Sequence, residues 1–167
     1  NILSILTYSS IILHIIITLY LAFKSSRARP VQYAVSSGNS NSSWSSKNMS
    51  LLGVFILFFI IVHMKSFWFK MHFGDMPYQY LSNGTKIKDL YQVTISAFND
   101  PFYTFFYVFS MIVLSFHLKH GIESAIQTTG LKTLRYGTLF KFVSGGIAIL
   151  IPGMFALIPI YLFIKQL

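Results

Sequence analysis

Histidine is the residue type in this chain whose placement could do chemistry. The sequence has five histidines, and three of them, His14, His63 and His117, lie in three separate apolar stretches. Ionisable side chains are costly in such stretches and usually have a function. An imidazole satisfied by a hydroxyl or carbonyl on a neighbouring helix is the ordinary alternative for one such position, but three on separate stretches favour cofactor ligation. Because cysteine is absent, thiolate metal sites, iron–sulfur ligation, disulfides and thiol catalysis are excluded.

Small and polar residues accompany two of these histidines at helical spacing. A flat porphyrin beside a ligating imidazole needs small side chains about one turn away, and Ser10, Thr18 and Gly121 meet that need. The alternative is that small residues only let helices pack closely in a membrane. The residues predicted to share a helix face are Ser4, Thr7, Ser10, His14 and Thr18 in the first set, and Ser110, His117, Gly121, Ser124 and Thr128 in the second.

His14 and His117 are predicted to lie at one height in the membrane. At about 1.5 Å per residue, His14 lies roughly 15 Å from Lys24, and His117 lies roughly the same distance from Gln127, if both are taken as the inner edge. The two imidazoles are therefore predicted to bind opposite faces of one heme. Bis-histidine iron of that kind suits electron transfer rather than oxygen binding.

His63 is predicted to lie near the opposite surface. It is roughly 24 Å from Lys47, so it cannot share the first heme and needs a second heme with another ligand. His120, about one turn after the ligand of the third stretch, is the reserve ligand. His72 falls in the connection that follows the second stretch, where a solvated histidine in a loop is expected.

The composition places these residues in lipid. Hydrophobic residues make up 54% and charged residues 10% of the 167 residues, whereas soluble domains have about 45–50% and 25%. The 13 Lys and Arg residues, against 4 Asp and Glu, lie mostly at the ends of apolar runs. Membrane orientation explains them better than nucleic-acid binding, so no nucleic-acid partner is expected.

Four apolar stretches predict an all-α transmembrane helical bundle that holds heme between its helices. They cover residues 2–23, 49–69, 102–126 and 142–164, each close to the roughly 20 residues that cross a bilayer. The first stretch lacks the arrangement of a signal peptide. Because the chain begins at Asn1, inside this stretch, a further helix upstream is expected, which would make five in all.

The connections between the stretches predict an orientation. Residues 24–48 are rich in Ser and Asn and carry bases without an acid, so this loop is predicted to be cytoplasmic, as is the basic turn before the fourth stretch. Residues 70–101 are nearly neutral and form the predicted outer loop. An interfacial amphipathic helix is predicted there from apolar residues at helical spacing, namely Ile87, Leu90, Tyr91, Ile95 and Phe98.

The fourth stretch is predicted to serve packing. It holds Pro152 and Pro159, which membrane helices tolerate when neighbours satisfy the carbonyls that proline frees. Gly145 and Gly146 are expected to let another helix come close.

The segment FHLKHGIESAIQTTG at residues 116–130 resembles the ligand helix of diheme cytochrome b subunits of succinate:quinone oxidoreductases and fumarate reductases. The shared pattern is a histidine with a glycine four positions later and another glycine nine beyond that, and His117, Gly121 and Gly130 meet it. The stretches RARPVQYAV, SSKNMSLLG and FIIVHMKSFW, at residues 27–35, 45–53 and 59–68, are similar to the form of this subunit in Bacteroidetes-type bacteria. The resemblance covers nearly the whole chain.

The resemblance implies five helices around two stacked hemes b in the bacterial inner membrane. His14 and His117 match the ligands of the cytoplasm-proximal heme, and His63 matches one ligand of the distal heme, whose other ligand belongs to the first of the five helices. The resemblance also implies three partners: a flavoprotein subunit that oxidises succinate, an iron–sulfur subunit on the cytoplasmic face, and a membrane quinone, expected to be menaquinone. The chain itself would carry electrons and leave succinate chemistry to its partners. Flow in the reverse direction would serve fumarate reduction.

Basic residues are candidates to meet the anionic heme propionates, namely Lys24, Arg27, Arg29 and Lys119. The loop bases could instead orient the protein or bind anionic lipid. Lys119 could instead pair with Glu123, four residues later on the same helix.

Two other function classes compete with electron transfer. A proton or ion transporter would use the histidines as a relay and predicts acidic partners inside the membrane, where Glu123 is the only acid in the four apolar stretches. A heme-free assembly subunit would leave three buried histidines unexplained.

Overall fold

The computed structural model describes residues 2–28, 43–130 and 137–167. The chain divides into two compact units, residues 1–42 and 43–167. Arg29 and most of the predicted cytoplasmic loop lie outside the described residues, as do Lys132 and Arg135 of the basic turn before the fourth span.

Helices dominate both units. The first unit contains helix α1 (Ile2–Arg27). The second unit contains, in chain order, α2 (Trp44–Lys47), α3 (Met49–His63), a π-helical segment (Met64–Phe69), α4 (Lys70–Phe73), strands β1 (Tyr78–Tyr80) and β2 (Lys86–Lys88), α5 (Leu90–Phe98), α6 (Pro101–Thr128) and α7 (Gly137–Ile164).

Among the described residues, four helices are long and apolar enough to cross a membrane. They are α1, the continuous helix from Met49 to Phe73 that joins α3, the π-helical segment and α4, and the long helices α6 and α7. The predicted all-α fold with four spans is thereby confirmed, and the chain is a multi-pass membrane protein. Helix α1 continues past its apolar stretch to Lys24 and Arg27, whose positive charges favour the negative end of the helix dipole.

Local signals fix where α6 begins and ends. Asp100 Oδ1 accepts hydrogen bonds from the backbone N–H groups of Phe102 and Tyr103 at 2.8 and 3.4 Å. Pro101 stands in the first turn, where its missing N–H costs nothing. Beyond the last turn, Gly130 has a φ of 73°, a conformation that suits glycine at a helix end. The first and last residues of α6 therefore follow from its sequence.

The segment predicted to be the outer loop contains a β-hairpin as well as a helix, α5, where the amphipathic helix was predicted. Helix α5 begins at Leu90, and the Asp89 side chain caps it by accepting from the Gln92 N–H at 2.9 Å. Ile87, which the helical spacing assigned to this helix, lies in β2 opposite Gln79. That assignment was wrong, because the turn at Gly84, with a φ of 79°, folds the chain back into a strand pair first.

Helix α6 packs against α3 and against α7. Ser144 and Ala148 of α7 are both 0% exposed, and the Ser115 hydroxyl of α6 donates to the Ala148 carbonyl at 2.6 Å. A Cβ added to Gly145 or Gly146 would meet no atom within 4 Å in the described parts of the chain, so the close helix contact expected there stays a prediction.

Candidate cofactor-binding site

His63 is the last residue of α3 and lies opposite Tyr107 of α6. Its Nδ1 atom is 3.3 Å from the Tyr107 hydroxyl oxygen, which lies 3.0 Å from the hydroxyl oxygen of Tyr103. The three side chains form a hydrogen-bonded chain inside the membrane-spanning part of the protein. With Nδ1 next to Tyr107, Nε2 is the ring nitrogen that a metal would take.

Aromatic rings pack against one side of the His63 imidazole. The ring centroids of Phe59 and Phe67 lie 5.8 and 5.4 Å from that of His63. Phe98 and Tyr107, only 4% and 6% exposed, form the core of this aromatic cluster together with Leu162. The His63 side chain itself lies at the exposed edge of the cluster, so a cofactor could reach one side of a ring whose other side is packed.

The helix changes from α to π geometry directly after His63. The π-helical segment Met64–Phe69 carries Phe67, whose ring contacts both His63 and Tyr107. Short π-helical segments inside α-helices are rare and occur frequently at functional sites. This segment is a second, local sign that the His63 region has a function beyond spanning the membrane.

His117 lies in α6, against Gly53 of α3. A Cβ added to Gly53 would be 3.5 Å from Cε1 of the His117 ring. The Nδ1 atom of His117 is buried, and the side chain as a whole is half-buried. A Cβ at this distance makes an ordinary contact, but a side chain longer than that of alanine at position 53 would press on the imidazole.

The two histidines of the second unit define two levels along the α3–α6 pair. We call them the His63 level, with His63 and Tyr107, and the His117 level, with His117 and Gly53. His63 follows Gly53 by ten residues in α3, and His117 follows Tyr107 by ten residues in α6. At about 1.5 Å per residue the levels are roughly 15 Å apart. The expectation that His63 and His117 serve different cofactors agrees with this separation.

His14 and Ser10 lie in α1, the helix of the first unit. The Ser10 hydroxyl donates to the Thr7 carbonyl at 2.9 Å, and the Thr18 hydroxyl donates to the His14 carbonyl at 2.8 Å. Both hydroxyls are thus satisfied within their own helix, as a membrane environment requires. His14 belongs to the first unit and His117 to the second, and their pairing stays a prediction.

The remaining candidate residues of α6 have distinct surroundings. Lys119 Nζ lies 3.3 Å from Glu123 Oε1, so these two charges form the ion pair that was the alternative to propionate binding. His120 is half-buried three residues after His117. At Gly121, an added Cβ would meet no atom within 4 Å in the described ranges. The room that Gly121 was predicted to leave for a porphyrin beside His117 is therefore open in the described residues.

His72 and Arg27 lie at helix ends. His72 belongs to α4, at the end of the same continuous helix as His63, and not to a loop as expected. Its Nδ1 is 2.8 Å from the Trp68 carbonyl oxygen, and its ring stacks on the Trp68 ring at 4.5 Å, because helix geometry continues through residue 73. The side chain is exposed, as predicted. Arg27 is the last residue of α1.

The described histidines fit heme b by the chemistry of their donors. In the described part of the chain, no three His or acidic side chains are grouped as a metal ion would need. A heme iron takes its in-plane nitrogens from the porphyrin and asks the protein for one or two axial imidazoles. Single histidines at separate levels, one beside an aromatic cluster and one a turn from the open space at Gly121, match that requirement.

Sequence reasoning missed Tyr107 and Gly53, and it considered Tyr103 only as an aromatic residue near a membrane interface that could border a quinone. Tyr107 and Tyr103 lie ten and fourteen residues before His117 and had only the general signal of aromatic residues in a span.

Comparisons of the chain with protein-family models, curated proteins and solved structures found no match.

Proposed function

We propose that the protein is the heme b membrane-anchor subunit of a bacterial succinate:quinone oxidoreductase and passes electrons between an iron–sulfur subunit and a membrane quinone. The observation that carries this proposal is the pair of histidine levels on α3 and α6, His63 with Tyr107 and His117 with Gly53. Imidazoles roughly 15 Å apart in height suit two redox centres in series across a membrane. The choice of succinate rests on the resemblance of residues 116–130 and 59–68 to diheme cytochrome b subunits.

Each histidine has a defined task in this proposal. His117 and His14 hold the proximal heme, and His63 holds the distal heme together with a ligand from another helix. A bound heme b supplies one-electron redox chemistry. Phe59 and Phe67 keep water from one side of the His63 ring, and an apolar shell of this kind influences the redox potential of a metal site.

Basic residues are the proposed partners of anionic groups. Arg27 and Arg29 are the candidates to meet heme propionates or the headgroups of membrane lipid. Lys119 is the weaker candidate, since it already pairs with Glu123 at 3.3 Å.

The proposed setting is the cytoplasmic membrane of a bacterium. The partners are a flavoprotein subunit and an iron–sulfur subunit on the cytoplasmic face, together with a quinone, for which we propose menaquinone. Electron flow in the opposite direction would make the same complex a fumarate reductase.

A proton transporter is the competing proposal, and one observation favours it. The chain of Tyr103, Tyr107 and His63 is a hydrogen-bonded path inside the membrane-spanning part, as a proton relay requires. The acid that such a relay needs is not in the path, since Glu123 pairs with Lys119.

Reduction by succinate tests the proposal. The complex containing this chain is purified in detergent, and its absorption spectrum is recorded before and after succinate is added, with dithionite as the reference for full reduction. We expect low-spin heme b bands that succinate brings up in part or in full. A complex without heme absorption contradicts the proposal and favours the transporter. The assignment of substrate is contradicted if dithionite reduces the heme but succinate does not reduce it and fumarate does not reoxidise it.

A further inference from the structure

Tyr107 connects the His63 imidazole to a second tyrosine. The Tyr107 hydroxyl oxygen lies 3.3 Å from His63 Nδ1 and 3.0 Å from the Tyr103 hydroxyl oxygen. Tyr103 and Tyr107 are one turn apart on α6, whereas His63 comes from α3, 44 residues earlier in the chain. The contact therefore depends on how the two helices pack and is not a by-product of local geometry.

We propose that Tyr107 is the positioning residue of His63, and that its hydroxyl fixes the tautomer and the orientation in which His63 offers Nε2 to a heme iron. This inference rests on the proposed function. A neutral imidazole that ligates through Nε2 carries its proton on Nδ1. His63 Nδ1–H then donates to Tyr107, and the Tyr107 O–H donates to Tyr103. Ligation through Nε2 thus sets the donor and the acceptor of both hydrogen bonds, from His63 to Tyr107 and from Tyr107 to Tyr103.

The packing of Tyr107 suits a positioning task. Its side chain is 6% exposed. The ring centroids of Phe59 and Phe98 both lie 5.0 Å from that of Tyr107, in edge-to-face contacts at 77° and 82°. A ring held in this way presents its hydroxyl at one place, and the low polarity around it strengthens the hydrogen bond to His63.

A hydrogen bond from the second nitrogen of a ligating histidine changes the metal site. It fixes the ring and makes the imidazole a more basic ligand, which favours oxidised iron over reduced iron. Loss of the Tyr107 hydroxyl is therefore expected to raise the midpoint potential of the distal heme and to weaken its retention. The proximal heme, at the His117 level, should keep its potential.

The test replaces Tyr107 by phenylalanine in the full complex. Phenylalanine keeps the ring that packs against Phe59 and Phe98 and removes only the hydroxyl. We expect Tyr107→Phe to shift the midpoint potential of one heme upward, and to lower the affinity for that heme about 10–100-fold, the usual loss for such outer ligand partners. Tyr103→Phe leaves the Tyr107–His63 contact in place, so its shift should be smaller and in the same direction. Tyr161→Phe, on an exposed face of α7, is the matched control and should change neither heme.

The outcomes separate this inference from the function on which it rests. A wild-type complex without heme, or a His63→Ala complex that keeps both hemes, contradicts the proposed function. Two hemes in the wild type, loss of one in His63→Ala, and an unchanged potential and heme content in Tyr107→Phe overturn the positioning role alone. Retention of the proximal heme reports correct folding. If Tyr107→Phe loses both hemes, Tyr103→Phe decides the question. An unshifted midpoint potential of the distal heme in Tyr103→Phe then overturns the role of the hydrogen bonds that join His63, Tyr107 and Tyr103.

Discussion

The hydroxyl oxygen of Ser115 in α6 lies 2.6 Å from the carbonyl oxygen of Ala148 in α7. Ala148 stands four residues before Pro152, so its carbonyl is the one that loses its helical N–H partner to the proline. Ser115 replaces that partner from the neighbouring helix. The sequence predicted that neighbouring helices would satisfy the carbonyls that proline frees in this span. The structure identifies Ser115 as the donor to the Ala148 carbonyl, which Pro152 leaves without a helical N–H.

Removal of the Ser115 hydroxyl should destabilise the α6–α7 contact. We expect Ser115→Ala to lower the free energy of unfolding by about 0.6 kcal/mol, the average for hydrogen bonds between membrane helices, and by no more than about 1.7 kcal/mol, the largest value found for such bonds. The loss should shrink in a Pro152→Ala background, because the restored N–H of residue 152 then satisfies Ala148. Denaturant titration in detergent micelles measures all four proteins of this double-mutant cycle.

A matched control for this cycle is Ser110→Ala on the same helix. Ser110 is also buried, but its hydroxyl donates to the Phe106 carbonyl of its own helix at 2.7 Å. Its replacement should cost less and should be indifferent to Pro152. Equal losses for Ser115→Ala with and without the proline would show that the hydroxyl does not replace the missing N–H.

Size at position 53 should control the proximal heme. Gly53→Ala places a Cβ at 3.5 Å from His117 Cε1, an ordinary contact, and should leave both hemes in place. Gly53→Leu should push the His117 ring out of its position and remove the proximal heme, while the distal heme at the His63 level survives. Heme content per complex, measured as the pyridine hemochrome, checks both variants. A Gly53→Leu complex with its full heme content would mean that Gly53 does not position the ligand.

His72 should carry no heme. Its Nδ1 is within hydrogen-bond distance of the Trp68 carbonyl and its ring stacks on Trp68 at the end of the helix, so we assign it to the local structure of α4. His72→Ala is expected to keep both heme spectra and both midpoint potentials. A changed low-spin heme signal in this variant would contradict the assignment of His72 to local structure.

The number and approximate extent of the spans could be predicted because apolar length is written directly in the sequence. The partners of the histidines could not. Tyr107 reaches His63, and Gly53 meets His117, only because α3 and α6 run side by side in one register, and neither composition nor spacing encodes that register. Ile87 shows a different failure, since its spacing fits a helix while Gly84 turns the chain into a hairpin. Residue counts along the spans predict that His14 and His117 lie at one height in the membrane, and their pairing stays a prediction.

The most direct test of the account is the heme count of single histidine variants in the purified complex. The wild type should contain two hemes b with separate midpoint potentials. His14→Ala and His117→Ala should each lose the same heme, and His63→Ala should lose the other one. If the wild type holds no heme, or if His117→Ala and His63→Ala both retain two, these histidines are not heme ligands and the account is wrong.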